Sequence, residues 1–117
     1  MPTTYHLSTC NTCKRILGEY GDRPELETID IKNRPVTEAE LEKMHELAGS
    51  YEVLFNRRAR KYREQGWHEK VMSEEDYRRL ILEEYTFLKR PVTIVGDHIF
   101  IGNSKKEVAA AIEALNG

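Results

Sequence analysis

The spacing of apolar positions changes several times along the chain, and each change marks an element. Thr3 to Leu7 reads as a short strand. Behind it, Ile16, Leu17 and Tyr20 share one helical face, which places a helix over 13–20 with Gly21 as its stop. Glu25 to Ile31 then alternates, with Leu26, Thr28 and Asp30 set against Glu27, Ile29 and Ile31, as suits a strand with one buried face. Strand, helix, strand is a βαβ unit, and its crossover makes the two strands parallel.

Pro35 interrupts the pattern. Thr37 followed by Glu40 is a capping box, Leu41, Met44, Leu47 and Ala48 form the apolar stripe of a second helix, and Gly49 ends it. Residues 51–64 read as helical, carrying Val53, Leu54 and Phe55 and then the basic run Arg57-Arg58-Ala59-Arg60-Lys61-Tyr62-Arg63. On that helix Arg57, Arg60 and Lys61 share one side and Arg58 points elsewhere. Ser73 with Asp76 caps a further helix whose inner face holds Tyr77, Leu80, Ile81 and Tyr85. Residues 37–88 are thus a helical insertion between two parts of a sheet.

The run Val92-Thr93-Ile94-Val95, the turn Gly96-Asp97 and the return His98-Ile99-Phe100-Ile101 predict a β-hairpin. Ser104 and Glu107 predict another capping box, opening a last helix with Val108, Ala111, Ile112 and Leu115 as its core stripe. The element order is β-α-β, helices, β-β-α, an α/β mixed sheet. With a Cys-x-x-Cys motif before the first helix and a proline before the third strand, that order indicates a thioredoxin-like (glutaredoxin-like) fold with a helical insertion at about residues 37–88.

Composition narrows the function classes. At 117 residues the expectation is a single domain. Hydrophobic residues make up 39% and charged residues 32%, enough for one core and a solvated surface. Eighteen Lys+Arg against 20 Asp+Glu give a net charge of -2, so the chain is no polycation for direct nucleic-acid binding, and a basic site must be local. The apolar runs are too short to span a bilayer, and the opening Met1-Pro2-Thr3-Thr4-Tyr5-His6 has neither a basic nor an apolar leader region, so the expected location is cytoplasmic.

Both cysteines lie in Cys10-Asn11-Thr12-Cys13. A pair this close staples no loop, which leaves redox chemistry, metal binding or simple packing. A zinc site needs two further ligands, and His6, His45, His68 and His98 lack zinc-finger spacing. With the first helix starting near Asn11, Cys10 stands at its N-terminus, where free amides and the positive dipole end favour a thiolate. Cys13, one turn on, is then the resolving thiol. Arg90-Pro91 reads in two ways. Pro91 is a cis-proline beside the reactive cysteine, with Arg90 binding an oxyanion and supporting the thiolate, or Arg90 is a surface arginine before a turn proline. The basic run is a solvated helix face or a contact for an acidic partner or anion.

Taken in order, Tyr5-His6-Leu7-Ser8-Thr9-Cys10-Asn11-Thr12-Cys13-Lys14, Leu54-Phe55-Asn56-Arg57-Arg58, Phe87-Leu88-Lys89-Arg90-Pro91-Val92 and Ile101-Gly102 span nearly the whole chain. Together they resemble the arsenate reductase (ArsC) family of the thioredoxin/glutaredoxin superfamily, in the branch that also holds the Spx-type transcription regulators. The resemblance implies a thiol-dependent oxidoreductase in which Cys10 attacks an oxyanion or disulfide, Arg90 acts with it, and Cys13 resolves. Substrate binding is assigned to Arg58, Arg57, Pro91, Asn11 and Thr12. No bound cofactor or metal is implied, and glutathione or glutaredoxin would complete the reduction. The chain departs from the reductases in three places. Asn56 stands at a reductase arginine, residues 103–105 supply no arginine, and His6-Leu7-Ser8 replaces the His-Asn-Pro lead-in. The regulator branch implies instead a Cys10–Cys13 redox switch that binds the RNA polymerase α subunit, with Arg58 and the neighbourhood of Gly49-Ser50 matching its pattern.

Overall fold

The computed structural model describes residues 1–117. The chain divides into two compact units, Met1–Pro35 with Arg90–Gly117, and Val36–Lys89. No helix is long and apolar enough to cross a membrane.

The first unit contains β1 (Thr3–His6), α1 (Asn11–Tyr20), β2 (Glu27–Asp30), β3 (Val92–Val95), β4 (His98–Ile101) and, at its end, the helix Lys105–Leu115. Its four-stranded sheet has the order β2-β1-β3-β4. β1 runs parallel to β2, with Tyr5 opposite Ile29 and His6 opposite Asp30, while β3 is antiparallel to both β1 and β4. The parallel pair requires the α1 crossover, which carries the Cys-x-x-Cys motif to the carboxyl edge of β1. Ile16 and Tyr20 of α1 pack with Val108 and Ala111 of the last helix, joined by Leu17, Leu26, Phe100, Ile112 and Leu115. This is the apolar spacing read from the sequence, closed into a core.

One polar chain crosses that interior. Thr4 and Thr93 face each other in the β1–β3 register and share a hydrogen bond of 2.9 Å, and the Tyr20 hydroxyl meets Thr93 Oγ1 at 3.0 Å. Buried hydroxyls left without partners are costly, so each of the three satisfies another.

The second unit contains α2 (Glu38–Ala48), α3 (Arg60–Glu64) and α4 (Glu74–Glu83), linked by single 3-10 turns at Glu52–Leu54, Trp67–Glu69 and Tyr85–Phe87. The last helix of the chain, Lys105–Leu115, is therefore α5. The boxes at Thr37–Glu40 and Ser73–Asp76 are both complete, with side chain and backbone bonded reciprocally at 2.9–3.2 Å. Each cap contributes about 1 kcal/mol. Gly49 ends α2 in the left-handed conformation (φ 91°) that a side chain would strain. Fully buried Phe55 packs against Tyr62, Tyr77 and Phe87 at centroid distances of 5.6, 5.1 and 5.0 Å, an aromatic core for this unit.

Four expectations change. Residues 51–64 are not one helix, because Phe55 instead pairs with Leu88 as an antiparallel bridge, flanked by Asn56 N–H to Phe87 O (2.7 Å) and Lys89 N–H to Leu54 O (2.8 Å). Those backbone bonds use the groups that a helix would need, and burial of Phe55 outweighs local propensity. Arg57 and Arg58 consequently lie in the turn before α3, not on it. At Ser104 only half of the expected box forms. Ser104 Oγ accepts from Glu107 N–H (3.1 Å), but the Glu107 carboxylate accepts from Ile101 N–H (3.0 Å), tying α5 to β4. β2 is shorter than the alternation suggested, and Tyr85 sits in a 3-10 turn after α4.

Candidate active site

α1 begins at Asn11, two residues earlier than its apolar spacing indicated, which makes Cys10 its N-cap with extended backbone (φ −95°, ψ 115°). A tight turn delivers it there, with Cys10 N–H donating to Leu7 O (3.0 Å) and Lys14 N–H donating to Cys10 O (3.1 Å). Both cysteines are free thiols, Cys10 partly exposed and Cys13 buried.

The same helix start moves the two thiols in opposite directions. Burial alone would raise Cys10. The Cys13 amide and thiol, the Arg90 charge and the Thr12 amide together outweigh it, so Cys10 lies below the ordinary cysteine range. Cys10 makes no regular capping hydrogen bond as a thiol, so the stabilisation belongs to the thiolate that faces these donors. Burial pushes Cys13 up to about 11, with the charge on Cys10 adding to it against opposing contributions from the Leu7 backbone and Arg90. One sulfur is thus poised as a nucleophile and its neighbour is held protonated.

The Arg90–Pro91 peptide is cis, and buried Pro91 leads directly into β3, its carbonyl accepting from Gly102 N–H (2.9 Å). Half-buried Arg90 acts electrostatically on both cysteines, so Cys10, Asn11, Thr12, Cys13, Arg90 and Pro91 are brought together within the first unit. Arg57 and Arg58 belong to the second. Arg57 Nη2 donates to Glu52 Oε2 (2.7 Å) and to the Tyr77 hydroxyl (2.8 Å), and its guanidinium lies 5.6 Å from the Tyr77 ring centroid. It is committed within its own unit. Arg58 is exposed, and its backbone N–H donates to Asn56 Oδ1 (3.1 Å). Of the other basic residues in the run, Lys61 pairs with Glu84 (2.5 Å). No group of three His, Cys, Asp or Glu side chains is placed to hold a metal ion.

Two residues beside this site escaped the sequence reading. Asp30, at the end of β2, accepts from Ser8 N–H (3.1 Å) and Lys32 N–H (3.2 Å) through Oδ1 and from Asn33 Nδ2 (2.8 Å) through Oδ2. The Ser8 hydroxyl is its largest single support, and with these bonds it holds the carboxyl below the usual range. His6, opposite Asp30 in the sheet, is driven below the ordinary imidazole range by burial, partly offset by that carboxylate. The available signal was an aspartate ending a strand before Lys32-Asn33, a local turn pattern, but its reach to Ser8 depends on parallel register.

The ArsC family model matches residues 5–111 of the chain. YusI of Bacillus subtilis (strain 168), an uncharacterised protein, is 33% identical over 106 residues, covering 86% of this chain and 88% of YusI. Among solved structures, a "possible arsenate reductase" from Streptococcus mutans UA159 superposes with a TM-score of 0.77 at 27% identity, covering 100% of this chain and 98% of that one. SACOL0876 from Staphylococcus aureus COL does so with a TM-score of 0.73 at 29% identity, over 95% and 98% of the two chains.

Proposed function

Since the chain belongs to the ArsC family, we propose that it is a thiol-dependent oxidoreductase with Cys10 as nucleophile, Cys13 as resolving thiol and Arg90 as the charge that supports the thiolate and meets an anionic substrate. The observation that carries this reading is the placement of partly exposed Cys10 at the N-cap of α1, with buried Cys13 one turn on and Arg90 acting on both, which displaces the two thiols in opposite directions. Burial and the charge on Cys10 account for the rise at Cys13, whereas the fall at Cys10 runs against its own burial and needs the helix amides and Arg90 directed at it.

On a disulfide, the Cys10 thiolate attacks one sulfur, the S–S bond breaks, and the other sulfur leaves as a thiolate that takes a proton from water. Cys13 then gives up its proton and attacks Cys10 Sγ, releasing the second substrate thiol and leaving a Cys10–Cys13 disulfide. Two electrons have passed to the substrate, and two glutathione molecules, becoming one glutathione disulfide, restore the pair. On arsenate, the thiolate forms an S–As(V) bond as hydroxide leaves. Attack of a second thiol, from Cys13 or glutathione, on Cys10 Sγ breaks that bond, leaves its electron pair on arsenic as arsenite, and forms a disulfide. Asn11, Thr12 and Pro91 border the attacking sulfur in this scheme, and Arg90 is the anion contact within the same unit.

The test is NADPH oxidation coupled through glutathione, glutaredoxin and glutathione reductase, with arsenate or a low-molecular-weight disulfide as substrate. Turnover by wild type and none by Cys10→Ser is expected. Absence of turnover with either substrate removes the oxidoreductase reading. A second reading rests on the direct side-chain contact of Cys10 and Cys13 at the start of α1. Closing that pair to a disulfide removes the partly exposed thiolate from the surface, which suits an Spx-like redox-switched regulator that binds the RNA polymerase α subunit. Thiol-dependent capture of the α C-terminal domain, with no turnover, is the result that selects it.

A further inference from the structure

We infer that Asp30 is a positioning residue for Cys10: it grips Ser8 and so fixes the loop that sets the reactive sulfur against the amides of α1. The inference rests on Cys10 being the reactive group. Only Leu7, Ser8 and Thr9 separate the end of β1 from the N-cap. Ser8 is the middle residue of that span, and its N–H donates to Asp30 Oδ1 at 3.1 Å. The Ser8 hydroxyl supports the same carboxylate. Asp30 is itself anchored. Lys32 N–H and Asn33 Nδ2 donate to its oxygens at 3.2 and 2.8 Å, and Arg34 N–H donates to its carbonyl at 2.8 Å. Ile31 N–H donates to His6 O (2.8 Å), so the end of β1 and the end of β2 are tied where the loop departs.

The carboxylate thus gathers donors from both sides of the β1–β2 edge and holds the middle residue of the loop, next to Leu7, whose carbonyl accepts from Cys10 N–H. The Cys10 thiolate is favoured by the amides of Cys13 and Thr12 and by Arg90, all of which act over short range and depend on direction. A loop free to shift loses that alignment before it loses the fold. His6 faces the same carboxylate across the sheet and contributes to its charge balance.

Sign separates positioning from plain charge. Asp30 is an anion near a developing thiolate, so electrostatics alone predicts that neutralising it lowers the Cys10 midpoint and speeds alkylation. Positioning predicts the opposite for Asp30→Ala. The experiment is the pH profile of Cys10 alkylation by iodoacetamide, read by mass spectrometry, in wild type, Asp30→Ala and Asp30→Asn, with circular dichroism and melting as fold controls. We expect the midpoint of Asp30→Ala to rise. Each unit of rise lowers the rate below the midpoint about tenfold. Asp30→Asn keeps an acceptor oxygen for Ser8 N–H and is expected to stay closer to wild type. An unchanged or lowered midpoint in folded Asp30→Ala overturns the inference. Because alkylation, not turnover, is read, an Asp30 effect without any reductase activity removes the proposed function and leaves the positioning role standing. Turnover together with an unchanged alkylation profile does the reverse.

Discussion

Selective alkylation at neutral pH tests the division of labour between the thiols directly. Cys13, pushed up to about 11, carries a thiolate fraction on the order of 10⁻⁴ at pH 7. A cysteine at the unshifted value of 9.0 carries about 1% thiolate at that pH, and Cys10 is held below that value. The ratio of reactive fractions is therefore at least about 100 in favour of Cys10. Complete burial of the Cys13 side chain (0% exposed) widens the gap further. The sign of the pH dependence follows. With the lower midpoint, Cys10 saturates first as pH rises while the Cys13 thiolate still grows about tenfold per unit towards its own midpoint, so selectivity narrows with rising pH. The assay is a timed iodoacetamide reaction on the native protein, quenched and digested. Fragment ions of the peptide ending at Lys14 then locate the label, which avoids altering Cys13, whose amide and thiol both act on Cys10. Comparable labelling of the two cysteines at pH 7, or a Cys10 midpoint equal to that of a free thiol, would refute the reasoning.

Three further outcomes follow from named contacts. Arg90→Ala is expected to raise the Cys10 alkylation midpoint, and Arg90→Lys to restore most of the shift, because the contribution of Arg90 to Cys10 is its charge; equal profiles for all three proteins count against a role for Arg90. Phe55→Ala removes the centre of an aromatic cluster and should cost about 3–5 kcal/mol in urea unfolding, with the loss centred on the second unit. Thr93→Val leaves the hydroxyls of Thr4 and Tyr20 without their shared partner and should cost about 1–3 kcal/mol by the same measurement, whereas a neutral result would mean that the buried chain finds other partners.

The parts legible in the sequence were those written in local pattern. The capping boxes at Thr37 and Ser73, the hairpin around Gly96-Asp97 and the stripe Val108, Ala111, Ile112, Leu115 are each complete within a few residues. So was the pairing of Cys10 with a helix start, since Cys-x-x-Cys spans one turn. What the sequence hid depends on contacts distant in the chain. Phe55 carries helical surroundings on both sides, and only Leu88, 33 residues on, reveals it as bridge-forming. Glu107 has the spacing of a capping residue, yet its carboxylate serves Ile101 on the preceding strand. Asp30 alternates as any strand residue would, and its grip on Ser8 exists only because β1 and β2 are parallel and in register.

The arginines bear on which substrate the site suits. A run of five basic residues within seven invites a reading as an anion clamp, but two of its charges, Arg57 and Lys61, are answered within their own unit. Arg57 is engaged by Glu52 and Tyr77, and Lys61 by Glu84. Asn56 uses its side chain to donate to Thr86 O (3.2 Å) and to accept from Arg58 N–H (3.1 Å). In the first unit Arg90 is the guanidinium that acts on both cysteines. A tetrahedral, multiply charged oxyanion needs several donors to offset its desolvation, whereas a disulfide needs a single activated thiolate and a neighbour to resolve it. The thiol pair is fully formed and the cationic cradle is sparse. This weighs the choice between the two proposed substrates towards the disulfide, and the arsenate arm of the coupled assay is where that preference is decided, since turnover there at rates matching the disulfide arm would show that a sparse cationic site suffices.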